Sequence, residues 1–572
     1  MRLPIGESDF RTVISEKFNF VDKTLLIKEI IEEAPKVILI TRPRRFGKTL
    51  NLSMLQYFFA PEVRGIPTKG LFDGLKISQE TVYKEYQGKT PVISISFKDV
   101  KEDNFERAYD KIYEIIIDLY QNFSYLQKSN VLLEDHKFLY NRILKREANQ
   151  AQIENSLKTL TKCLFEHHKT PPLILIDEYD TPIHAGYNKG FYDEIVSFFR
   201  NFFSASLKDN PCLYKAVLTG ILRVSRESLF SGLNHLEVYS VLNSKFSSYF
   251  GFMEGEVEGL LHQAEMDEKI TEVKDWYNGY HMSDVMVYNP WSILNCIQKG
   301  GVLQPYWVNT SDNELIKTLL TGSSFSFKDD FEGLLQGSSR EETIDENIVF
   351  SDLDKGDESA IWSLFLMTGY LTALNHQITF KGESLCRLSI PNKEVGFLFQ
   401  RIIEQWFAKD YGLKWYRQFL EHLLRGNIEK FSADLKELFD HTVSVHDIGQ
   451  SPEAFYHGLM IGLTASLHGS PLYEIRSNRE SGKGRYDYAI IAKESQNLSI
   501  LMEFKRVQVG EGKTLSPLKE ENLLKQTAEE ALTQITQKAY YAEIKQRGLT
   551  RLLKIGLAFS GKKFFLVHEV SE

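Results

Sequence analysis

The chain has 572 residues, 42% of them hydrophobic and 25% charged, a balance that fits a folded globular protein of about two to four domains. A formal net charge of −9 excludes a general attraction for nucleic acid, so any such binding needs a local basic patch. The four cysteines (Cys163, Cys212, Cys296, Cys386) are far apart with no Cys-x-x-Cys pair, which argues against a disulfide framework or a zinc site. With no long apolar leader and no apolar stretch of about 20 residues, the expected setting is the cytoplasm, with no membrane span.

In chain order, Phe18 to Thr24 precede a helix to Glu33, which Asp22 can cap. The apolar run Val37 to Ile40 then reads as a buried strand. Thr41-Arg42-Pro43-Arg44-Arg45-Phe46-Gly47-Lys48-Thr49 follows and opens a helix over Leu50 to Phe59. Strand, loop ending Gly-Lys-Thr and helix is the order of a phosphate-binding P-loop. Unpaired N–H groups at the helix start face an anion there. The expected nucleotide contacts are Arg44, Arg45, Phe46, Gly47, Lys48, Thr49 and Leu50, with Lys48 on the β/γ-phosphates of ATP and the Thr49 hydroxyl on Mg²⁺. One position departs from the usual G-x-x-x-x-G-K-[ST] pattern: Arg42 stands where the first Gly belongs.

Thr90 to Phe97 alternates like a strand, and a long helical region is expected from about Asn104 to Phe165. Leu173-Ile174-Leu175-Ile176 ends in Asp177-Glu178, a Walker B pattern. Asp177 at the carboxyl end of a parallel strand can reach Mg²⁺, and Glu178 can polarise an attacking water. A further strand, Ala216 to Gly220, places Thr219 to sense the γ-phosphate, with Arg223 or Arg226 to offset charge; a cap and solvated arginines explain the same residues. Three aromatic segments, 275–280, 288–292 and 305–310, read as packing anchors, with Gly279 and Pro290 in turns. Residues 321–358, rich in Gly, Ser and acids, read as loop, and 360–440 as mostly helical with a strand-like stretch at 377–390.

From about residue 450 the pattern changes. Ser451-Pro452-Glu453 opens a helix to Leu467. A turn at 481–484 and two strands follow, Arg485 to Ala492 and Leu498 to Lys505, joined by a hairpin over 493–497. A turn centred on Ser495 puts Asp487 opposite Glu503, and Lys505 shares a face with Glu503. Two opposed carboxylates repel, and a bound cation relieves the repulsion. Mg²⁺ or Mn²⁺ between Asp487 and Glu503, with Lys505 beside it, would suit phosphodiester hydrolysis; a solvated hairpin face explains the same spacing. Glu453 can add a further acid or cap its helix, His457 lies one turn on, and Arg485 can meet phosphate. A helix over Gln526 to Lys545 and a strand over Leu553 to Phe559 complete the region.

Phe-Val-Asp-Lys-Thr (20–24), Arg-Pro-Arg-Arg-Phe-Gly-Lys-Thr (42–49), Ile-Asp-Glu-Tyr-Asp-Thr-Pro (176–182), Thr-Gly-Ile-Leu-Arg-Val-Ser (219–225) and Leu-Phe-Ser-Gly-Leu-Asn (229–234) together resemble the bacterial AAA-ATPase-like family. The resemblance covers most of the chain. It implies Arg at position 42 as a family trait, and a C-terminal PD-(D/E)XK nuclease-type domain in which Asp487, Glu503 and Lys505 form the D…ExK set. The expected fold is thus α/β: an AAA-like P-loop ATPase with a parallel sheet over 1–285, a helical lid or connector over 286–445, and a PD-(D/E)XK nuclease-like α/β domain over 446–572. The expected activity is an ATPase coupled to a Mg²⁺- or Mn²⁺-dependent nuclease on DNA or RNA, with homo-oligomers an open question. The alternative is a nucleotide-switched binding or scaffolding protein with a degenerate nuclease fold.

Overall fold

The structure is a computed structural model of the chain and describes residues 1–223, 229–230, 236–307, 314–323, 325–335, 337–347, 352–353, 357–407, 412–442, 464, 467, 470, 472–481, 484–507, 517–560 and 563–571. The described chain divides into two compact units, 1–312 with 341–395, and 313–340 with 396–572. The segment expected as one connector, 286–445, is shared between them.

The first unit is built on a five-stranded sheet: β1 (Val37–Thr41), β2 (Val92–Ser96), β3 (Leu173–Asp177), β4 (Lys215–Gly220) and β5 (Leu236–Tyr239), in spatial order β2-β3-β4-β1-β5. All its pairings are parallel. Every residue of β1, β3 and β4 is buried, as continuous apolar runs in a parallel sheet require. The connections from β1 to β2, β2 to β3 and β3 to β4 contain helices. Tyr192–Leu207 lays Phe198, Phe199, Phe202 and Phe203 on the sheet, and Phe97, just past β2, meets the Phe199 ring edge-on at 5.0 Å. The helical region expected from 104 to 165 is several helices: Phe105–Gln121, Glu134–Leu144, Gln150–Glu154 and Ser156–His168, with a 3₁₀ turn at Ser124–Lys128. Asparagines divide it, since Asn149 closes a capping box with Gln152 and starts a new helix there.

Two expectations are corrected. Within 321–358 the chain forms helix Phe325–Leu335 and strand Arg340–Ile344. Phe327, Phe331 and Leu334, at helical spacing, are buried, and this apolar stripe outweighs the Ser, Gly and acids between them. The strand-like stretch at 377–390 is two antiparallel strands, Thr372–Ile378 and Ser384–Ser389, with the turn at Phe380-Lys381.

The second unit carries a sheet of β6 (Tyr473–Ser481), β7 (Gly484–Ala492), β8 (Ser499–Arg506), β9 (Leu552–Ser560) and β10 (Lys563–Ser571), in that spatial order. Only β8 and β9 pair in parallel, so their connection crosses over through helix α1 (Pro517–Gln537). The last strand, β10, is an addition to the expected elements. Helices Gly412–Leu424 and Ile428–Thr442 contribute Phe419, Leu423, Phe431, Leu438 and Phe439 to one core with Ile490, Leu501 and Leu557 of the sheet. The helix expected over 451–467, with Glu453 and His457, lies outside the described residues apart from Thr464 and Leu467.

Candidate functional site

The phosphate-loop motif sits between β1 and helix Lys48–Phe59. Gly47 takes φ +85° at the N-cap, a left-handed conformation that favours glycine. Arg42, at the departure from the usual motif, is wholly buried. It donates to the Thr41 and Tyr239 carbonyls at 2.8 Å and to the Lys245 carbonyl at 3.4 Å, and lies over the Phe250 ring at 5.4 Å. Burial pushes the guanidinium down to about 9. The side chain turns into the fold between β1 and the end of β5.

Lys48 is also buried, and its Nζ donates to the Arg42 and Pro43 carbonyls at 2.8 Å. Burial lowers its pKa, while Glu178, Asp180 and Asp177 oppose that shift. Asp177 closes a three-residue chain: Thr49 Oγ1 donates to one carboxylate oxygen and Thr219 Oγ1 to the other, both at 2.7 Å. This follows from the strand order, because β4 lies between β1 and β3 and carries Thr219 to the middle. Glu178 adopts φ +50° and accepts from Thr181 Oγ1 at 3.2 Å. Asp180 is buried and accepts the Ile221 and Leu222 N–H groups at 2.7 and 3.0 Å; burial still raises its pKa.

A cavity of about 410 Å³ opens at this end of the sheet. Arg44, Arg45, Phe46, Gly47, Lys48, Thr49, Leu50 and Glu178 line it; Asp177 and Thr219 stand behind them, and Arg223 is not among the lining residues. Arg226 lies outside the described residues. Lys98, Lys101 and the 4–8 segment also line the cavity, as does Trp291, over which the Arg45 guanidinium sits at 4.3 Å. Sequence reasoning missed these. A basic rim on short loops leaves no periodic signal, and Trp291 reads equally well as packing. Asp22 is not the helix cap. It accepts from Thr24 and from the Lys76 N–H, joining the helix start to a neighbouring turn.

In the second unit, β7 and β8 pair Tyr488 with Met502 and Ile490 with Ile500. One further step of that register sets Asp487 opposite Glu503, and the Phe504 N–H donates to Asp487 Oδ2 at 2.7 Å. Glu503 is buried. One of its oxygens accepts from Gln534 Nε2 of α1; the other has no hydrogen-bond partner among the described residues. Burial first, then the Asp487 charge, pushes its carboxyl up to about 8. Lys505 Nζ lies 3.9 Å from Glu530 of α1, so Glu503 and Lys505 both face that helix. α1 comes this close because β9 has glycine at 556, beside Glu503 in the parallel register. A Cβ there would stand 2.3 Å from the Ala528 carbonyl oxygen.

An unpartnered buried carboxylate oxygen opposite a second carboxylate suits a hard divalent cation. Asp487 and Glu503 could hold it. Among the described residues no cluster of three or more His, Cys, Asp or Glu side chains is gathered for a metal. Arg485 pairs with Glu480 across β6 and β7; its side chain is not among those described.

Each constellation lies in a region that resembles a known family. Residues 4–230 match the family model of predicted AAA-ATPases, and residues 451–569 match that of the PD-(D/E)XK nuclease superfamily. The two matches lie in that order along the chain, an AAA-ATPase-like region followed by a PD-(D/E)XK region. It is 26% identical over 550 residues to an uncharacterized protein in the vnfD 5′ region of Azotobacter chroococcum mcd 1, an alignment covering 96% of this chain and 94% of that protein. No helix among the described residues is long and apolar enough to cross a membrane.

Proposed function

We propose that this chain binds and hydrolyses ATP with Mg²⁺ in the N-terminal cavity, and that the nucleotide state governs a Mg²⁺- or Mn²⁺-dependent phosphodiesterase that cuts DNA or RNA at Asp487, Glu503 and Lys505. We assign the nucleotide site to the expected 1–285 region and the nuclease site to the expected 446–572 region, with 286–445 divided between the two compact units.

Each half rests on one observation. For the nucleotide it is the Thr49–Asp177–Thr219 chain, which preorganises a carboxylate beside the Lys48 ammonium. On binding, Lys48 exchanges the Arg42 and Pro43 carbonyls for phosphate oxygens. The N–H groups at the start of helix Lys48–Phe59 hold the same phosphates, and Lys98, Lys101 and Arg45 add positive charge at the rim. Glu178 orients a water and accepts its proton. Arg223 is our candidate for a cation that moves in on closure.

For the nuclease the observation is Glu503: a buried carboxylate with a spare oxygen, facing Asp487. A divalent ion held by Asp487 and Glu503 would lower the pKa of water and offset charge on the phosphate. Gln534 fixes the Glu503 carboxyl against rotation. The Lys505 ammonium, held near Glu530, can turn to the attacking water or to the phosphate oxygens. The binding or scaffolding reading is favoured by one fact, that only two acids converge among the described residues.

Turnover of ATP and cleavage of DNA and RNA with Mg²⁺ or Mn²⁺ test both halves. Glu178→Gln should lower ATP turnover about 100-fold while sparing nucleotide binding, and Lys505→Ala should lower cleavage by a similar factor. If the native protein cuts no nucleic acid with either metal, the binding reading replaces the nuclease.

A further inference from the structure

The aromatic segments expected as packing anchors converge on the phosphate loop itself. Phe46 is buried, with its ring edge-on to Tyr280 at 5.1 Å. Trp307 packs against Tyr280 at 6.3 Å and against Tyr370 at 5.2 Å. The loop is also held by hydrogen bonds: the Arg44 carbonyl accepts from Trp307 Nε1 at 3.1 Å and from Asn289 Nδ2 at 3.4 Å.

Both donors are tied to one carboxylate. The Trp307 N–H donates to Glu394 Oε1 at 2.6 Å, and Ser292 Oγ donates to Glu394 Oε2 at 2.7 Å. Ser292 lies in helix Pro290–Gln298, whose first turn is capped by the Asn289 side chain. Glu394 is therefore bonded directly to Trp307 and reaches Asn289 through Ser292, whose N–H donates to Asn289 Oδ1 at 3.3 Å. It is 0% exposed and has no cation among its hydrogen-bond partners in the described residues, a costly placement for an acid. Helix formation does not require it, because the Asn392 side chain already caps the Val395 N–H at 3.1 Å.

Glu394 is the second residue of helix Lys393–Phe407, along which the chain passes from one unit to the other: residues up to Val395 count with the first and Gly396 onward with the second.

We propose that Glu394 is a positioning residue that links the phosphate loop to helix Lys393–Phe407, so that triphosphate in the loop changes the stability of that helix. The link rests on the nucleotide reading of the N-terminal cavity. Binding takes Lys48 from the Arg42 and Pro43 carbonyls, and Arg44 is the next residue. A shift of its carbonyl by half an ångström breaks or strengthens the Trp307 bond, since hydrogen bonds tolerate only a few tenths. Trp307 is packed on two rings and cannot follow freely, so the change passes through its N–H to Glu394.

Amide exchange of the full chain over residues 393–402, with and without saturating adenylyl imidodiphosphate and Mg²⁺, tests the link. Binding is measured in the same samples with a fluorescent ATP analogue, so that variants are compared at equal occupancy. In the native protein exchange should change roughly threefold or more on binding. Trp307→Phe keeps a ring and the backbone donor but loses the indole N–H, and the change should vanish; Glu394→Gln should reduce it. If Trp307→Phe does not fold, Glu394→Gln decides alone. A native protein that binds the analogue without a change at 393–402, or a variant that keeps the full change, overturns the link and leaves the nucleotide site standing. A native protein that does not bind the analogue overturns both.

Discussion

Arg42 shows how one side chain can alter a motif without emptying the site. Its guanidinium fills the interior behind the loop and donates to three carbonyls, with no carboxylate bonded to it among the described residues. Restoring the usual residue by Arg42→Gly should therefore not improve nucleotide binding. It should orphan those carbonyls, open a cavity and destabilise the first unit by on the order of 3 kcal/mol, read as a fall in the midpoint of urea unfolding. Glu394 gives a pH signature. Burial pushes its carboxyl up to about 7, and the nearby Cys296, Tyr277, Tyr280 and Tyr306 stay neutral below that. The folded state therefore holds the proton more tightly than the unfolded chain. The Glu394 contribution to stability is full below about pH 4 and is lost as pH rises through about 7, by at most roughly 3 kcal/mol. Thermal melts from pH 5 to 7.5 should fall for the native protein, and Glu394→Gln should flatten the slope. The opposition of Asp487 and Glu503 was legible because a hairpin turn sets its own register. Glu394 was not, since Asn392-Lys393-Glu394 reads as an ordinary helix start with an exposed acid in its first turn.

At the scale of elements, the strand order explains why three residues distant in sequence meet. β4 between β1 and β3 puts Thr219 against Asp177, and the helix after the phosphate loop adds Thr49 from the other side. The Walker B strand and the phosphate loop could be read from their apolar runs and polar ends. The approach of α1 to β9 could not, because it depends on a missing Cβ at Gly556. Gly556→Val should push α1 away from the sheet, destabilise the second unit by about 1–3 kcal/mol, and draw Gln534 off Glu503. Calorimetric titration with Mn²⁺ should then show weaker binding than in the native protein, as lost second-layer contacts to metal ligands generally do.

At the scale of the whole molecule, the units do not follow one another along the chain. Residues 313–340 belong with the second although 341–395 return to the first. Composition carries no trace of such a return, which is why a continuous connector was the natural reading of 286–445. The nuclease-type sheet also shares its core with Phe419, Phe431 and Phe439 from helices before residue 446. A fragment of 446–572 should therefore stay insoluble or molten, while 313–340 joined to 396–572 by a flexible linker should show cooperative melting by circular dichroism. Equal behaviour of the two fragments would contradict the shared core.

The interleaving has a consequence during synthesis. Every piece of the first unit has been made once Val395 is joined, whereas the second must keep residues 313–340 waiting until the final strand arrives. The unit with the phosphate loop is thus fully made before the sheet that carries Asp487 and Glu503 exists, and a message cut short leaves the first unit whole and the second unfinished.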